Sequence, residues 1–285
     1  MEKDQRKKTN PSEPQTTGHE WDGIKEYDNP DPFWLRLMFY CALFFSLGYW
    51  LFYPSWPSQY GHGIFDWSQY KELEESQKEI IKRRAVYLDE FNKASFDEIM
   101  KNPELYKFAI AGGKSAFANN CAVCHGIGGG GNPGYPNLTA GAWLWGGKPE
   151  DIYQTIKFGI RSGHEETRDS QMAAFGRDGI LKPDEVNILT DFVMGMYKGQ
   201  NYSDQANELY QKNCASCHGV KGEGKHEFGG PALNDAIWLY GSDKKTIHDV
   251  IYNGRQGVMP QWFGRLSDST IRELVVYVHG LGGGE

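Results

Sequence analysis

Cysteine is scarce, at five in 285 residues, and most of the chain has none. That excludes a disulfide-dense mini-protein. The glycine period of collagen and the sustained heptads of a rod are also missing. No stretch alternates apolar and polar residues convincingly with period two, so half-buried strands are not expected. Basic charge is in deficit, with 30 Lys and Arg against 37 Asp and Glu and a net charge of −7, which argues against a nucleic-acid binder. What is present suffices for a core: 39% hydrophobic residues, 14% aromatics and 35 glycines. The last two fit compact domains with tight turns or a flat cofactor to cover. The length suggests roughly two domains at ~150 residues each.

One long apolar run stands out, Phe33 to Tyr53, with Arg36 as its sole charge. As a helix it would span about 31 Å, roughly a bilayer core. Arg36 can snorkel to the near interface. Trp34, Tyr49, Trp50, Tyr53 and Trp56 lie near the ends, as interfacial aromatics do. The alternatives are a buried helix of a soluble protein and a cleaved signal peptide. The first lacks equally apolar partners. The second is disfavoured by 32 preceding residues and by the absence of a small-x-small cleavage pattern. Lys25, Arg36 and the cluster Arg6, Lys7 and Lys8 lie on the N-terminal side, whereas no Lys or Arg occurs from Leu37 to Tyr70. The positive-inside rule predicts a cytoplasmic tail over 1–32, a transmembrane helix over 33–53 and everything later outside. Cys41 falls within the span and reads as an inert small apolar residue.

Residues 54–102 read as an irregular Pro- and Gly-rich linker followed by a tether helix over Tyr70–Asn92, acidic early and basic late. From Pro103 the chain repeats itself. Cys121-Ala122-Val123-Cys124-His125 recurs as Cys214-Ala215-Ser216-Cys217-His218, 93 residues later. Trp143-Leu144-Trp145-Gly146 recurs as Trp238-Leu239-Tyr240-Gly241, 95 residues later. Met172 matches Met259 when about eight residues are missing from the second copy. A repeat of this size is a duplicated domain. The copies run over 103–197 and 200–285, joined by a short polar segment around Gln200, Asn201 and Tyr202. Each carries a helix before the cysteine motif, a Gly/Pro-rich loop, an amphipathic helix (Pro149–Phe158; Lys244–Asn253), a Met-bearing loop and a terminal helix (Pro183–Met196; Asp268–Leu281). The fold class is all-α.

CxxCH is the attachment pattern for haem c: two thiols add to the vinyl groups and the adjacent histidine supplies nitrogen to the iron. Zinc is the main alternative, since CxxC pairs also hold zinc. Here each pair has a histidine at the next position and no second pair in its own half. Two covalent haem c groups are expected, on Cys121, Cys124 and His125 and on Cys214, Cys217 and His218. The loops supply Met172 and Met259 as second axial ligands, which favour reduced iron and raise its potential. Met194, Met196 and His164 are rivals in the first copy. His226, His248 and His279 read as surface or satisfied histidines. Each methionine pairs most simply with the haem of its own domain, but spacing also permits the exchange, Met172 to the second haem and Met259 to the first. Trp143, Trp145, Trp238 and Tyr240 are candidates to cover the rings. Arg161 and Arg255 are candidates to neutralise propionates, or else plain surface cations.

The order of polar tail, single anchor, tether and two CxxCH domains resembles the dihaem cytochrome c subunit, CcoP/FixP type, of cbb3-type haem-copper cytochrome c oxidases. Ile24-Lys25-Glu26-Tyr27-Asp28-Asn29-Pro30 before the anchor and Tyr53-Pro54-Ser55-Trp56 after it are similar to that family's juxtamembrane signatures. The segment around Met172 is similar to the family's Met-Pro-Ala-Phe-Gly, with Ala173 in place of proline; Val258-Met259-Pro260 keeps it. The resemblance implies a non-catalytic electron-transfer subunit of the bacterial inner membrane, with periplasmic haem domains. Its donor would be the bc1 complex or a soluble cytochrome c. Its electrons would pass to a monohaem subunit and then to the haem-copper catalytic subunit that reduces O₂. A free membrane-anchored dihaem cytochrome and a dihaem peroxidase are the rival readings.

Overall fold

The computed structural model describes residues 15–54, 63–199 and 203–282. Arg6, Lys7, Lys8, Ser55, Trp56 and the joining residues Gln200, Asn201 and Tyr202 lie outside the described residues. The chain divides into two compact units, Met1–Arg83 and Arg84–Glu285.

The first unit contains an element that period-two reading missed. Strands β1 (Thr16–Trp21) and β2 (Ile24–Tyr27) pair antiparallel, with Trp21 opposite Ile24 and Glu20 opposite Lys25. Asp22 and Gly23 make the two-residue turn, at φ 50° and 83°. Positive φ at both positions is what a type I′ hairpin turn requires, and Asp-Gly supplies it. Helix α1 (Phe33–Phe52) follows, with no buried residue and length and apolarity enough to cross a membrane. Its ten Leu and Phe residues together favour membrane insertion by ~3–6 kcal/mol. Arg36 near the end costs less than it would at the centre. Ser46 Oγ donates to Ala42 O at 2.8 Å, so the buried hydroxyl of a membrane helix would be satisfied within its own turn. Helix α2 (Gln69–Lys93) has the acidic start and basic end expected of the tether.

The second unit holds α3 (Phe96–Lys101), α4 (Pro103–Asn120), α5 (Ala122–His125), α6 (Pro149–Phe158), α7 (Pro183–Met196), α8 (Asp204–Asn213), α9 (Ala215–His218), a 3-10 turn (His226–Phe228), α10 (Lys244–Asn253) and α11 (Asp268–His279). The starts are written in the sequence. Proline occupies the first turn of α4, α6 and α7, where its missing N–H costs nothing. Ser203, Asp243 and Ser267 accept backbone N–H groups as caps of α8, α10 and α11. Ser95 and Glu98 form a reciprocal capping box on α3, a short helix not anticipated from the sequence.

The two cytochrome-like copies are tandem along the chain but exchange their ends in space. Helix α11, from the second copy, packs on α4 and α6 of the first. Helix α7, from the first copy, packs on α8 and α10 of the second. The cores follow the same partition. Phe117, Ile152 and Ile156 bury with Ile271, Leu274 and Val275. Val186, Leu189 and Phe192 bury with Tyr210, Ile247 and Ile251. Glycines let α4 approach closely: a Cβ on Gly113 would lie 2.3 Å from Glu273 O and 2.6 Å from Tyr277 Cβ. A third cluster, Phe91, Ile99, Leu105, Ala109 and Val276, fastens the end of α2 and α3 to the α4–α11 pair.

Candidate functional site

Both motifs sit on one-turn helices that continue the preceding helix after a break at the first cysteine. Cys121 N–H still bonds Phe117 O, and Cys214 N–H bonds Tyr210 O, each at 2.8 Å. His125 N–H then bonds Cys121 O, and His218 N–H bonds Cys214 O, each at 3.0 Å. The thiols and imidazole therefore occupy positions i, i+3 and i+4 of a helical turn and share one face. Gly126 and Gly219, at φ 79° and 82°, end each turn. The glycine-rich loops fold back under the histidines: Gly131 N–H bonds His125 O at 2.8 Å and Gly224 N–H bonds His218 O at 2.7 Å.

Each imidazole is oriented by the same device. His125 Nδ1 lies 3.0 Å from Pro136 O, and His218 Nδ1 lies 2.9 Å from Pro231 O. A carbonyl only accepts, so Nδ1 carries the proton and Nε2 keeps its lone pair, as a metal-ligating histidine requires. Burial holds both rings below the ordinary imidazole value, against the opposing effect of the proline carbonyls. Burial, then the neighbouring cysteine, pushes the Cys121 thiol up to about 11 and the Cys214 thiol up to about 12. None of the four motif cysteines is spent in a disulfide.

One continuous cavity of about 740 Å³ joins the two motifs, a size typical of cofactor sites. Both cysteine pairs, both histidines, Met172 and Met259 line it, with Trp145, Trp238 and Tyr240. Trp143 does not line it. The rivals for ligation are elsewhere. His164 packs between Phe158 and Phe263, and its Nδ1 accepts Glu166 N–H at 3.0 Å. Met194 and Met196 pack against the α7–α10 core. Among the described residues no three His, Cys, Asp or Glu side chains gather closely enough to hold a metal ion.

The methionines sit on the opposite copy. Met172 forms a backbone bridge with Arg255: its N–H bonds Arg255 O at 3.1 Å and Arg255 N–H bonds Met172 O at 3.3 Å. Met259 forms the equivalent bridge with Ile160, both bonds at 3.0 Å. Ile160 and Arg255 are 95 residues apart and correspond in the repeat. Glycines make room for the crossings: a Cβ on Gly159 would meet Met259 O at 2.4 Å, and one on Gly254 would meet Met172 O at 2.3 Å. In packing, Met172 joins the cluster of Cys214, Leu233 and Trp238, whereas Met259 joins that of Cys121 and Leu138. Each methionine loop thus lies against the other copy, an arrangement the chain spacing permits alongside local pairing.

The cavity wall also offers unused donors. Trp238 Nε1 and Arg255 Nε are buried without a hydrogen-bond partner, as groups awaiting an acidic ligand would be. Arg255 otherwise pairs with Asp249 at 2.6 Å and lies over the Tyr240 ring at 4.8 Å. Arg161, the other candidate cation after the second helix of a copy, meets backbone carbonyls instead, with Nε donating to Gly257 O at 2.6 Å and Nη1 donating to Ser170 O. Paired thiols, neutral oriented imidazoles, facing thioethers, aromatic walls and free donors in one cavity fit covalent haem.

Three family models match the chain in order. The N-terminal domain of cytochrome oxidase-cbb3, FixP, matches residues 13–59; cytochrome c matches 110–196; and cytochrome c oxidase, cbb3-type, subunit III matches 203–278. The cbb3-type cytochrome c oxidase subunit FixP of Bradyrhizobium diazoefficiens is 45% identical over 276 residues, covering 95% of each chain. FixP of Azorhizobium caulinodans is 46% identical over 279 residues, covering 95% of this chain and 94% of its own. CcoP of Azospirillum brasilense is 44% identical over 283 residues, covering 95% and 96%. With its apolar anchor and its cytochrome c domains for covalent haem c, the chain therefore belongs to the FixP/CcoP family, the membrane-anchored electron-transfer subunits of cbb3-type cytochrome c oxidases.

Proposed function

We propose that the chain carries two haem c groups and relays electrons from the bc1 complex or a soluble cytochrome c to a monohaem subunit. From there they reach the haem-copper subunit that reduces O₂. The first haem would be held by Cys121, Cys124, His125 and Met259. The second would be held by Cys214, Cys217, His218 and Met172. When bound, each haem supplies a one-electron Fe(III)/Fe(II) couple. The protein's own residues do the rest. The Pro136 and Pro231 carbonyls fix the imidazoles, the thioethers favour the reduced state, and the aromatic walls exclude water. The observation that carries this reading is the single cavity lined by both motifs and both methionines. Such a cavity would hold two redox centres in one compartment, as a relay needs.

The N-terminal side is assigned to the cytoplasm and the haem domains to the periplasm, on the inner membrane. Lys25 before the span and Arg36 near its N-terminal end, against no Lys or Arg from Leu37 to Tyr70, support this orientation. A single anchor keeps the domains near their partner and raises their effective concentration. The test is a pyridine-haemochrome and reduced visible spectrum of the purified chain, together with co-purification of a haem-copper subunit. Two haem c per chain, a far-red Met–Fe(III) band and a co-purifying oxidase are expected. One haem, or a freely purifying cytochrome without oxidase, would contradict the reading.

A further inference from the structure

The exchanged methionine loops meet at one side chain. Arg161 lies just after α6, half-buried, with its backbone at φ 51°, a conformation that favours glycine. Its guanidinium reaches both loops. Nε donates to Gly257 O at 2.6 Å, and Nη1 donates to Ser170 O. Gly257 lies two residues before Met259 and Ser170 two residues before Met172, so the contacts are equivalent in the repeat. The arginine itself has no equivalent, because position 256, 95 residues on, is an exposed glutamine. The repeat is thus broken at a side chain that bonds both methionine loops. The segment is pinned: Arg161 N–H bonds Arg168 O at 2.9 Å, and adjacent Ile160 bridges Met259. A planar fork of fixed donors can bind two carbonyls at once, whereas a lysine ammonium on a flexible stem offers no such geometry.

We propose that Arg161 is a positioning residue that clamps the Met172 and Met259 loops together, so that both sulfurs are held, or lost, as a unit. This rests on both methionines being axial ligands, but not on which iron each serves. It differs from a role as counter-charge to one propionate, which would touch one haem only.

The test uses the full haem-loaded chain. Arg161→Asn removes the clamp while tolerating the left-handed backbone, and Arg161→Lys keeps the charge without the fork. Haem content and helical circular dichroism check folding. In both variants the far-red Met–Fe(III) bands of both haems should weaken together. The Met172 and Met259 amides, which bond Arg255 O and Ile160 O, should exchange about tenfold faster or more. A response in one loop only would overturn the proposal. So would a shift of one midpoint potential with both bands and both amides unchanged. Amide exchange reports the loops regardless of ligation, which separates failure of the clamp from failure of the ligand assignment. Should neither variant fold, exchange in the unaltered protein decides. Opening rates for the two amides within about tenfold of each other support a shared clamp, and independent opening contradicts it.

Discussion

At the scale of single residues the site depends on small groups in fixed places. The four cysteines and two histidines are legible because their chemistry dictates spacing along the chain: i, i+3 and i+4 on one turn, followed by a glycine that ends it. Met172 and Met259 are legible as loop sulfurs before a terminal helix. Their partners are not, because sequence distance says nothing about which copy a loop faces. Gly254 makes the exchange testable by substitution. It sits at φ 68°, and a Cβ there would lie 2.3 Å from Met172 O. Gly254→Ala should cost ~1–3 kcal/mol by strain and crowding. It should disturb Met172, which lies 82 residues earlier in the sequence. Denaturant unfolding gives the cost. The far-red band, compared with that of Met172→Ala, identifies the sulfur, and a disturbance confined to Met259 would contradict the crossing.

At the scale of elements, the long helices were readable from caps and periodicity. Pro149, Pro183, Asp243 and Ser267 mark their starts, and α6, α7 and α10 fall where the sequence places them. The β1–β2 hairpin was missed despite its Asp22-Gly23 signal, because its six- and four-residue strands are wholly exposed and show no buried alternation. Helix α3 was too short to show a period. The α4–α11 contact depends on Gly113, where an added Cβ would meet the Glu273 backbone and the Tyr277 Cβ, neither the end of a flexible side chain. Gly113→Ala should cost ~1–3 kcal/mol, read as a melting shift of roughly 2–4 °C per kcal/mol for a unit of this size. Beside it, Glu273 on α11 is 1% exposed and pairs with Arg84 at 2.6 Å. Burial raises its carboxyl above the ordinary 4.5, although Arg84 pulls the other way. The folded chain therefore holds this proton more tightly than the unfolded chain. The carboxyl's contribution is full below about 4.5 and declines as pH rises through the raised folded value. Glu273→Gln should remove that decline, so its stability relative to the parent should climb from acidic to neutral pH. A pH-independent difference in unfolding free energy would contradict the assignment. Arg84→Ala leaves a buried charge unpaired. It should cost on the order of 2 kcal/mol, discounted because Arg84 is itself 39% exposed on its side chain.

At the scale of the whole molecule, exchange of α7 and α11 makes two sequence domains into one folding unit. Neither copy keeps its own terminal helix, so neither should survive alone. A chain ending at Gly199 lacks α11 and Met259 and should fail to build a six-coordinate first haem. Calorimetry of the haem-loaded second unit should show one cooperative transition rather than two. The duplication was plain in the sequence, but its interleaving was not, because each copy separately carries every helix and every ligand type a cytochrome needs. The most direct measurement uses a chain with Cys214 and Cys217 replaced by alanine, leaving only the haem on Cys121 and Cys124. In that background Met259→Ala should abolish the far-red Met–Fe(III) band and lower the midpoint potential, while Met172→Ala should leave both intact. Loss of the band with Met172→Ala and its survival with Met259→Ala would contradict the exchange.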